Sequence, residues 1–397
     1  MPDRLNRGVV TSISPELRKR LLTLRRDLHR HPELSWQEHG TAERLHRELA
    51  ALDPARLERV AGTGVVARIR GRDSSAPAVA IRGDIDALPI QEATGLEFAS
   101  QVSGVMHACG HDVHATWTVG AACLLAERPA QGDVLIVLQP GEETGKGALA
   151  ILDSGALTGV AAIFAAHVDL RFAVGEVVAE AGPLAASADS WEIELRGSGA
   201  HGARPHESAD PIVGAAALIT ALQTIVARRI DPADAAVVSV GTVSAGTAPN
   251  IIPDRATLTG TLRATRPETR QLLHSEVERI AQAIATAHRL HASVTIDPGP
   301  PPLVNPAEPV GWARSAVASL LGDDALVPLG FLNLAGEDFA CYLERIPGCF
   351  LRIGGRETGG EAIPAHTSRF FAADASIFVG ATLLAETARV ASAALCS

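Results

Sequence analysis

Residues Ala78 to Pro89 read A-V-A-I-R-G-D-I-D-A-L-P, a short apolar run that ends in two aspartates two positions apart. Consecutive rather than alternating apolar positions suit a strand buried on both faces, as in a parallel sheet. Ligands of open α/β sheets bind beyond the carboxyl ends of the strands, which is where Asp84 and Asp86 fall. The neighbouring segments repeat this arrangement. Val65–Arg70 and Val134–Leu138 read as strands, and the second leads into Glu142 and Glu143. Ala161–Ala166 reads as another strand and leads into His167. Helical stretches at Val113–Glu127 and Gly147–Ser154 alternate with them. Strands alternating with helices predict a largely parallel sheet covered on both faces. Upstream, Ser14-Pro15-Glu16 supplies a cap, a first-turn proline and a first-turn carboxylate for a helix. Leu17, Leu21, Leu24 and Leu28 lie along that helix, which Pro32 ends after about His31. A second helix carries Leu45, Leu49 and Leu52.

Around Gly182–Ser190 the composition turns small, and we read a linker there. Beyond it the order changes to strand 191–196, helix 211–229, strands 236–243 and 256–263, helix 267–288 and strand 292–296. This is β-α-β-β-α-β, the ferredoxin-like split motif. The run Pro298-Gly299-Pro300-Pro301-Pro302 closes it as a stiff hinge. The expected organisation is α/β with two domains. A mostly parallel-sheet domain of residues 1–184 and 300–397 is interrupted by a smaller domain of residues 185–299.

Composition narrows the function. Of 397 residues, 47% are hydrophobic and 20% charged, a globular balance. A net charge of −10 offers no basic footprint for nucleic acid or acidic membranes. Asp3, Arg4 and Arg7 have no apolar stretch behind them, so no signal peptide is expected. The most apolar run, Ile212–Ala227, is interrupted by Thr220, Gln223 and Thr224 and is short for a membrane span. Five cysteines, an odd number spread thinly, suggest a reducing cytoplasm.

The densest chemistry lies at Met106–Thr116, M-H-A-C-G-H-D-V-H-A-T. Thiolate, imidazole and carboxylate are ligands of zinc and similar metals. Cys109 and His111 at a loop-to-helix boundary point one way, although a buried cysteine beside a satisfied histidine fits the spacing equally. Asp84 and Asp86 could form a turn or could orient a metal-bound imidazole. Glu142 and Glu143 could be solvated loop residues, or one could bind metal while the other handles a proton. His167 and His366, each taken alone, read as structural.

Jointly, eight segments resemble the metal-dependent aminoacylase and carboxypeptidase family. They are G-D-I-D-A-L-P from Gly83, the Met106–Thr116 cluster, Q-P-G-E-E from Gln139 and A-A-H-V from Ala165. G-S-G-A-H-G-A-R-P-H from Gly197, P-N-I-I-P-D from Pro249, G-E-D-F from Gly336 and A-H-T-S-R-F from Ala365 complete the set. They follow the family's order and cover nearly the whole chain. The set is most similar to the branch of hippurate hydrolases, auxin-conjugate hydrolases and bacterial N-acyl-amino-acid amidohydrolases. Gly83 and Gly141 stand where alanine is frequent in that pattern. Asp169 and Leu170 stand where a polar residue and proline are usual, which bears on the loop beside His167.

The resemblance implies a catalytic domain with two divalent metal ions per subunit (zinc, manganese, cobalt or nickel) held by Cys109, His111, Glu143, His167 and His366. It implies Glu142 as general base and Asp86 as the carboxylate orienting a ligand. His201 would reach a neighbouring active site and stabilise the oxyanion. Asn250 and Arg263 would take the substrate's carboxylate. The inserted domain would be a lid that makes a homodimer, with a tetramer as the larger alternative. The expected activity is amide hydrolysis of small N-acyl amino acids in the cytoplasm. Rivals are a dipeptidase or carboxypeptidase, a thiol hydrolase with Cys109 as nucleophile, and a non-catalytic metal-binding or sensor protein.

Overall fold

The computed structural model describes residues 13–332 and 334–397. Asp3, Arg4 and Arg7, on which the signal-peptide expectation rests, lie outside them. The chain forms two compact units, one of Met1–Gly182, Asn305–Phe331 and Cys341–Ser397, the other of Pro183–Val304 and Leu332–Ala340.

In chain order the first unit contributes α1 (Pro15–Arg30), α2 (His39–Ala50), β1 (Arg56–Val60), β2 (Gly64–Ile69), β3 (Ala78–Asp84), α3 (His111–Glu127), β4 (Val134–Gln139), α4 (Gly147–Asp153), β5 (Val160–Ala173) and β6 (Val177–Val178). The second contributes β7 (Asp189–Arg196), α5 (Pro211–Arg229), β8 (Ala236–Ala245), β9 (Arg255–Ala264), α6 (Pro267–Ala287) and β10 (His291–Asp297). The chain then returns to the first unit with α7 (Ala307–Leu321), β11 (Gly348–Arg356) and α8 (Ala375–Ala394).

The sheet of the first unit has the order β1-β2-β4-β3-β5-β11-β6. Its four central strands are parallel, whereas β1, β2 and β6 pair antiparallel. The sheet is therefore mixed rather than mostly parallel. Only β1 and β2 are joined by a short hairpin connection; β2 with β4 and β6 with β11 pair across long stretches of chain. Ser14 caps α1 through its side chain at the amide of Leu17, as the sequence indicates.

α3 is buried along almost its whole length, and α8 crosses it. The crossing is close at Gly380, where a Cβ would stand 2.3 Å from the ring of Trp117. Trp117 is fully buried and stacks on His114 with ring centroids 4.7 Å apart. Behind the helix, Arg25 of α1 donates to Asp112 Oδ2 at 2.9 Å and to Asp374 Oδ1 at 2.8 Å. His29 Nδ1 meets Asp112 Oδ2 at 2.8 Å. These bonds fix the first turn of α3 against α1.

The second unit is a four-stranded antiparallel sheet of order β8-β9-β7-β10, with α5 and α6 packed on it. Residues 182–190 are not a loose linker. Gly182–Ala185 is a short strand, and Ser187 exchanges hydrogen bonds with Ala264. The small residues are there because chain segments pass closely: a Cβ on Gly299 would lie 2.0 Å from the carbonyl oxygen of Ala188. Leu332–Ala340 joins this unit rather than the first, with Ala186 N donating to Ala335 O.

The run Ile212–Ala227 belongs to the 19-residue α5, which by length and composition could cross a membrane, as could α8. α8 is mostly buried in the core of its unit. α5 buries Leu218, Leu222 and Ile225 against the sheet and leaves Ile212, Val213 and Val226 exposed.

Overpacking the α3–α8 crossing should cost stability even though alanine favours a helix over glycine by about 1 kcal/mol. Gly380→Ala is expected to lower the unfolding free energy by about 1–3 kcal/mol. Urea denaturation checks this, and an unchanged midpoint would show that Trp117 can move aside.

Candidate metal centre and active site

The end of β3 meets the first turn of α3 through two carboxylate–imidazole pairs. Asp84 Oδ1 accepts from His114 Nδ1 at 2.7 Å, and Asp84 Oδ2 accepts from Arg82 at 2.5 Å. Asp86 Oδ1 pairs with His111 Nδ1 at 3.1 Å. Asp86 Oδ2 accepts from the Ser35 hydroxyl at 2.8 Å and from the Glu143 amide at 3.0 Å. Burial alone would raise both carboxyls, but the imidazoles and the hydrogen bonds outweigh it and hold both below the usual carboxylate range.

These bonds assign the ring nitrogens. With Nδ1 of His111 committed to Asp86, Nε2 is the nitrogen left for a ligand. It is buried and has no hydrogen-bond partner among the described residues. His167 Nδ1 donates to the carbonyl of Val168 at 2.7 Å, so its Nε2 carries the lone pair and accepts from the Cys109 thiol at 3.3 Å. His114 is different. Its Nε2 accepts from the Val168 amide at 2.9 Å, so both nitrogens are used and the ring is a strut. His107 is fully buried beside Asp112 and His29, and burial lowers its imidazole to about 4.

Glu142 and Glu143 occupy a single turn of 3-10 helix, Glu142–Thr144, after β4. Glu142 Oε2 stands 3.8 Å from His111 Nε2, and Glu143 Oε1 stands 3.9 Å from it. His366 is half exposed, with Nε2 3.4 Å from Glu143 Oε1, and that carboxylate raises its imidazole. Its amide donates to Ala108 O at 2.8 Å, which ties it to the segment of Cys109.

His167 does not end its strand, since β5 runs on to Ala173 with Asp169 and Leu170 inside it. β3 pairs with β5 only as far as Arg82 opposite Ala165, while β11 continues alongside, with Arg352 opposite His167. By that register His167 lies level with Asp84, the last residue of β3, where the pairing of β3 with β5 has already ended.

Cys109, His111 and His167 bring ligand atoms within 4.8 Å of one another, as do Cys109, Glu143 and His366, and His111, Glu142 and Glu143. Mixed S, N and O donors, with the Nε2 atoms of His111 and His167 turned towards them, fit a divalent transition metal. The same numbers oppose a thiol nucleophile. Burial and then Glu143 push the Cys109 thiol up, whereas burial and then His114 drive His167 down. A catalytic Cys–His pair needs both shifts reversed.

In the second unit, His201 and Asn250 come together. Ile251 pairs with His201 on a two-stranded ladder, and Gly202 N donates to Asn250 O at 2.8 Å. His201 Nδ1 accepts from the Ala203 amide at 3.1 Å, so in its neutral form the ring carries hydrogen on Nε2. Arg263 is elsewhere, eight residues beyond Arg255 along β9, or about 27 Å at 3.4 Å per residue. Asn250 lies past Arg255 in the other direction, so these two residues, expected to share one carboxylate, are not brought together.

Sequence reasoning missed Ser35, Trp36 and Glu38, which brace the Glu142 loop, and the pairing of Asp84 with His114. The segment His31–Glu38 drew notice only for Pro32, and its partners lie about fifty to one hundred residues away.

The model of Peptidase family M20/M25/M40 matches residues 80–390. An N-acetylcysteine deacetylase of Bacillus subtilis (strain 168) is 42% identical over 88% of this chain and 91% of its own. An IAA-amino acid hydrolase of Arabidopsis thaliana is 38% identical over 88% of this chain and 80% of its own. The crystal structure of a Bacillus subtilis dinuclear metal binding peptidase from the M20 family superposes with a TM-score of 0.84 at 38% identity, covering 95% of this chain and 99% of that one. This chain belongs to Peptidase family M20/M25/M40 and is a metal-dependent amidohydrolase of that family.

Proposed function

We propose that the enzyme hydrolyses the amide bond of N-acyl amino acids, releasing a carboxylic acid and a free amino acid. The observation that carries this reading is that Nε2 of His111, without a partner among the described residues, and Nε2 of His167, paired with the Cys109 thiol, converge beside two glutamates. Relatives named for N-acetylcysteine and IAA-amino acids support the substrate class. Two divalent ions held by Cys109, His111, Glu143, His167 and His366 are the cofactors of this reading. Bound there, they supply Lewis acidity, which lowers the pKa of water from about 15.7 towards about 7.

The protein's own groups do the rest. Glu142 takes the proton of the attacking water and returns it to the leaving nitrogen as the C–N bond breaks. Asp86 keeps His111 in the tautomer that presents Nε2. His201 donates Nε2–H to the oxyanion, where a preorganised donor stabilises developing charge most. Arg263 pairs with the substrate's carboxylate through its planar guanidinium. Asn250 acts with His201.

The second unit is the lid of this reading. Its exposed α5 face and the edge strand β8, with Val243 half exposed, form an apolar surface suited to a second copy. We place the enzyme in the cytoplasm as a homodimer, and its free thiols agree with a reducing compartment.

Glu142→Gln should retain its metal by elemental analysis while turnover of N-acetyl and N-benzoyl amino acids falls about 10²- to 10⁴-fold. Near-normal turnover would remove Glu142 as base. Metal uptake should release protons at neutral pH, because the metal-free site holds the Cys109 thiol protonated and raises His111 through Asp84 and Asp86 despite burial. Calorimetry in buffers of different ionisation enthalpy measures this, and Cys109→Ala should release fewer. Mixing inactive His201→Ala and Glu142→Gln subunits should restore part of the activity after exchange. No recovery despite confirmed exchange would mean that each chain uses its own histidine.

A further inference from the structure

Between α1 and α2 the chain makes a turn at Ser35-Trp36-Gln37-Glu38. Trp36 takes a left-handed backbone, φ +67°, which is uncommon for a bulky side chain. Such conformations persist where surrounding contacts over-determine them, and they gather at functional sites. The contacts here all lead to one loop. The indole Nε1 of Trp36 donates to Thr144 Oγ1 at 3.1 Å. The same ring lies against Gly141, itself at φ +63°, where a Cβ would stand 2.7 Å from two indole carbons.

Glu38 is fully buried; its Oε1 accepts from the Gly141 amide at 3.0 Å and its Oε2 from the Thr63 hydroxyl at 2.6 Å. Ser35 donates to Asp86 Oδ2, the atom that also accepts the Glu143 amide. Gly141, Glu143 and Thr144 are thus each tied to this turn, directly or through Asp86, and Glu142 is the residue between them. Helix capping does not account for the arrangement. Glu38 stands at the N-cap position of α2, yet Glu33 accepts from the amides of Gly40 and Thr41 in its place.

We propose that Ser35, Trp36 and Glu38 are positioning residues that hold Glu142 and Glu143 in reacting geometry. The inference rests on the assignment of Glu142 as general base and Glu143 as ligand. A small misplacement of a reacting group costs up to about 100-fold in rate. W36F removes the indole donor to Thr144 Oγ1, and T144V removes that acceptor together with the bond its hydroxyl donates to Gly141 O at 2.8 Å. Each should lower kcat about threefold to tenfold with KM held within about twofold, and W36F/T144V should be no worse than the poorer single variant. E38A should lower kcat by more than about 30-fold and shift the acidic limb of the kcat–pH profile. E38Q, which keeps an acceptor for the Gly141 amide, should recover part of the loss.

Amide exchange in metal-free protein gives a readout independent of turnover. The amides of Gly141 and Glu143 should be protected in the wild type and exchange faster in E38A, while those within α3 stay unchanged. Wild-type exchange at both amides in E38A, or acceleration spread equally through α3, overturns the brace. So does kcat within about twofold of wild type in all these variants while E142Q is inactive. Wild-type turnover in E142Q overturns the general-base assignment instead, and the exchange rates then decide the brace alone.

Discussion

The site depends on the match between two periodicities. A strand repeats every two residues, so Asp84 and Asp86 project to one side of the end of β3. A helix brings residues three apart onto one face, so His111 and His114 share a side of α3. The two rows meet as the pairs Asp84–His114 and Asp86–His111, all four residues buried. Removing one partner of such a pair would leave an uncompensated buried charge, which is far costlier than losing a surface ion pair. Asp112, between the two histidines, is directed to Arg25 and His29 instead. The first turn of α3 is therefore gripped from both sides, and Cys109 is delivered next to His167 as a consequence.

That grip also divides labour among chemically identical side chains. His111, His114 and His167 each commit Nδ1, and what differs is Nε2. In His114 it is consumed by the Val168 amide. In His167 it meets the Cys109 thiol, and in His111 it has no partner among the described residues and lies beside the glutamates. A buried imidazole nitrogen without a partner is a cost in the metal-free chain. Burial keeps the Cys109 thiol protonated, and Asp84 and Asp86 raise the His111 imidazole against burial, so a cation taking their lone pairs displaces protons. A cation there would also satisfy the unpartnered Nε2 of His111, so the donor set suits a metal better than a thiol catalyst.

Much of this was legible in the sequence, because strand-end chemistry leaves local marks. The runs before Asp84, Glu142 and His167 show the strands, and the residues that follow them show the site edge. The ferredoxin-like order of the second unit was readable from periodicity alone. What escaped was held by contacts rather than by pattern. Nothing in H-P-E-L-S-W-Q-E announces that Trp36 will adopt a left-handed backbone or that Glu38 will forgo its helix for Gly141. The small residues of Ala186–Ala188 look like a flexible linker because close packing and flexibility select the same side chains. His167 was misread as a strand end because the strand changes neighbours there without changing its own conformation.

The second unit raises a separate constraint of length. His201 and Asn250 sit at one end of an antiparallel ladder, and Arg263 sits about 27 Å or more along it. A small N-acyl amino acid is far shorter than that. One copy of this unit cannot bring His201 and Arg263 to the same small molecule; in the roles proposed for them, an oxyanion donor and a carboxylate clamp, the two would come from different chains. The exposed apolar residues Ile212, Val213 and Val226 on α5 and Val243 on the edge strand β8 belong to this same unit. Association through that face would supply the missing group. Dimerisation would then be part of assembling the active site rather than an addition to a finished one.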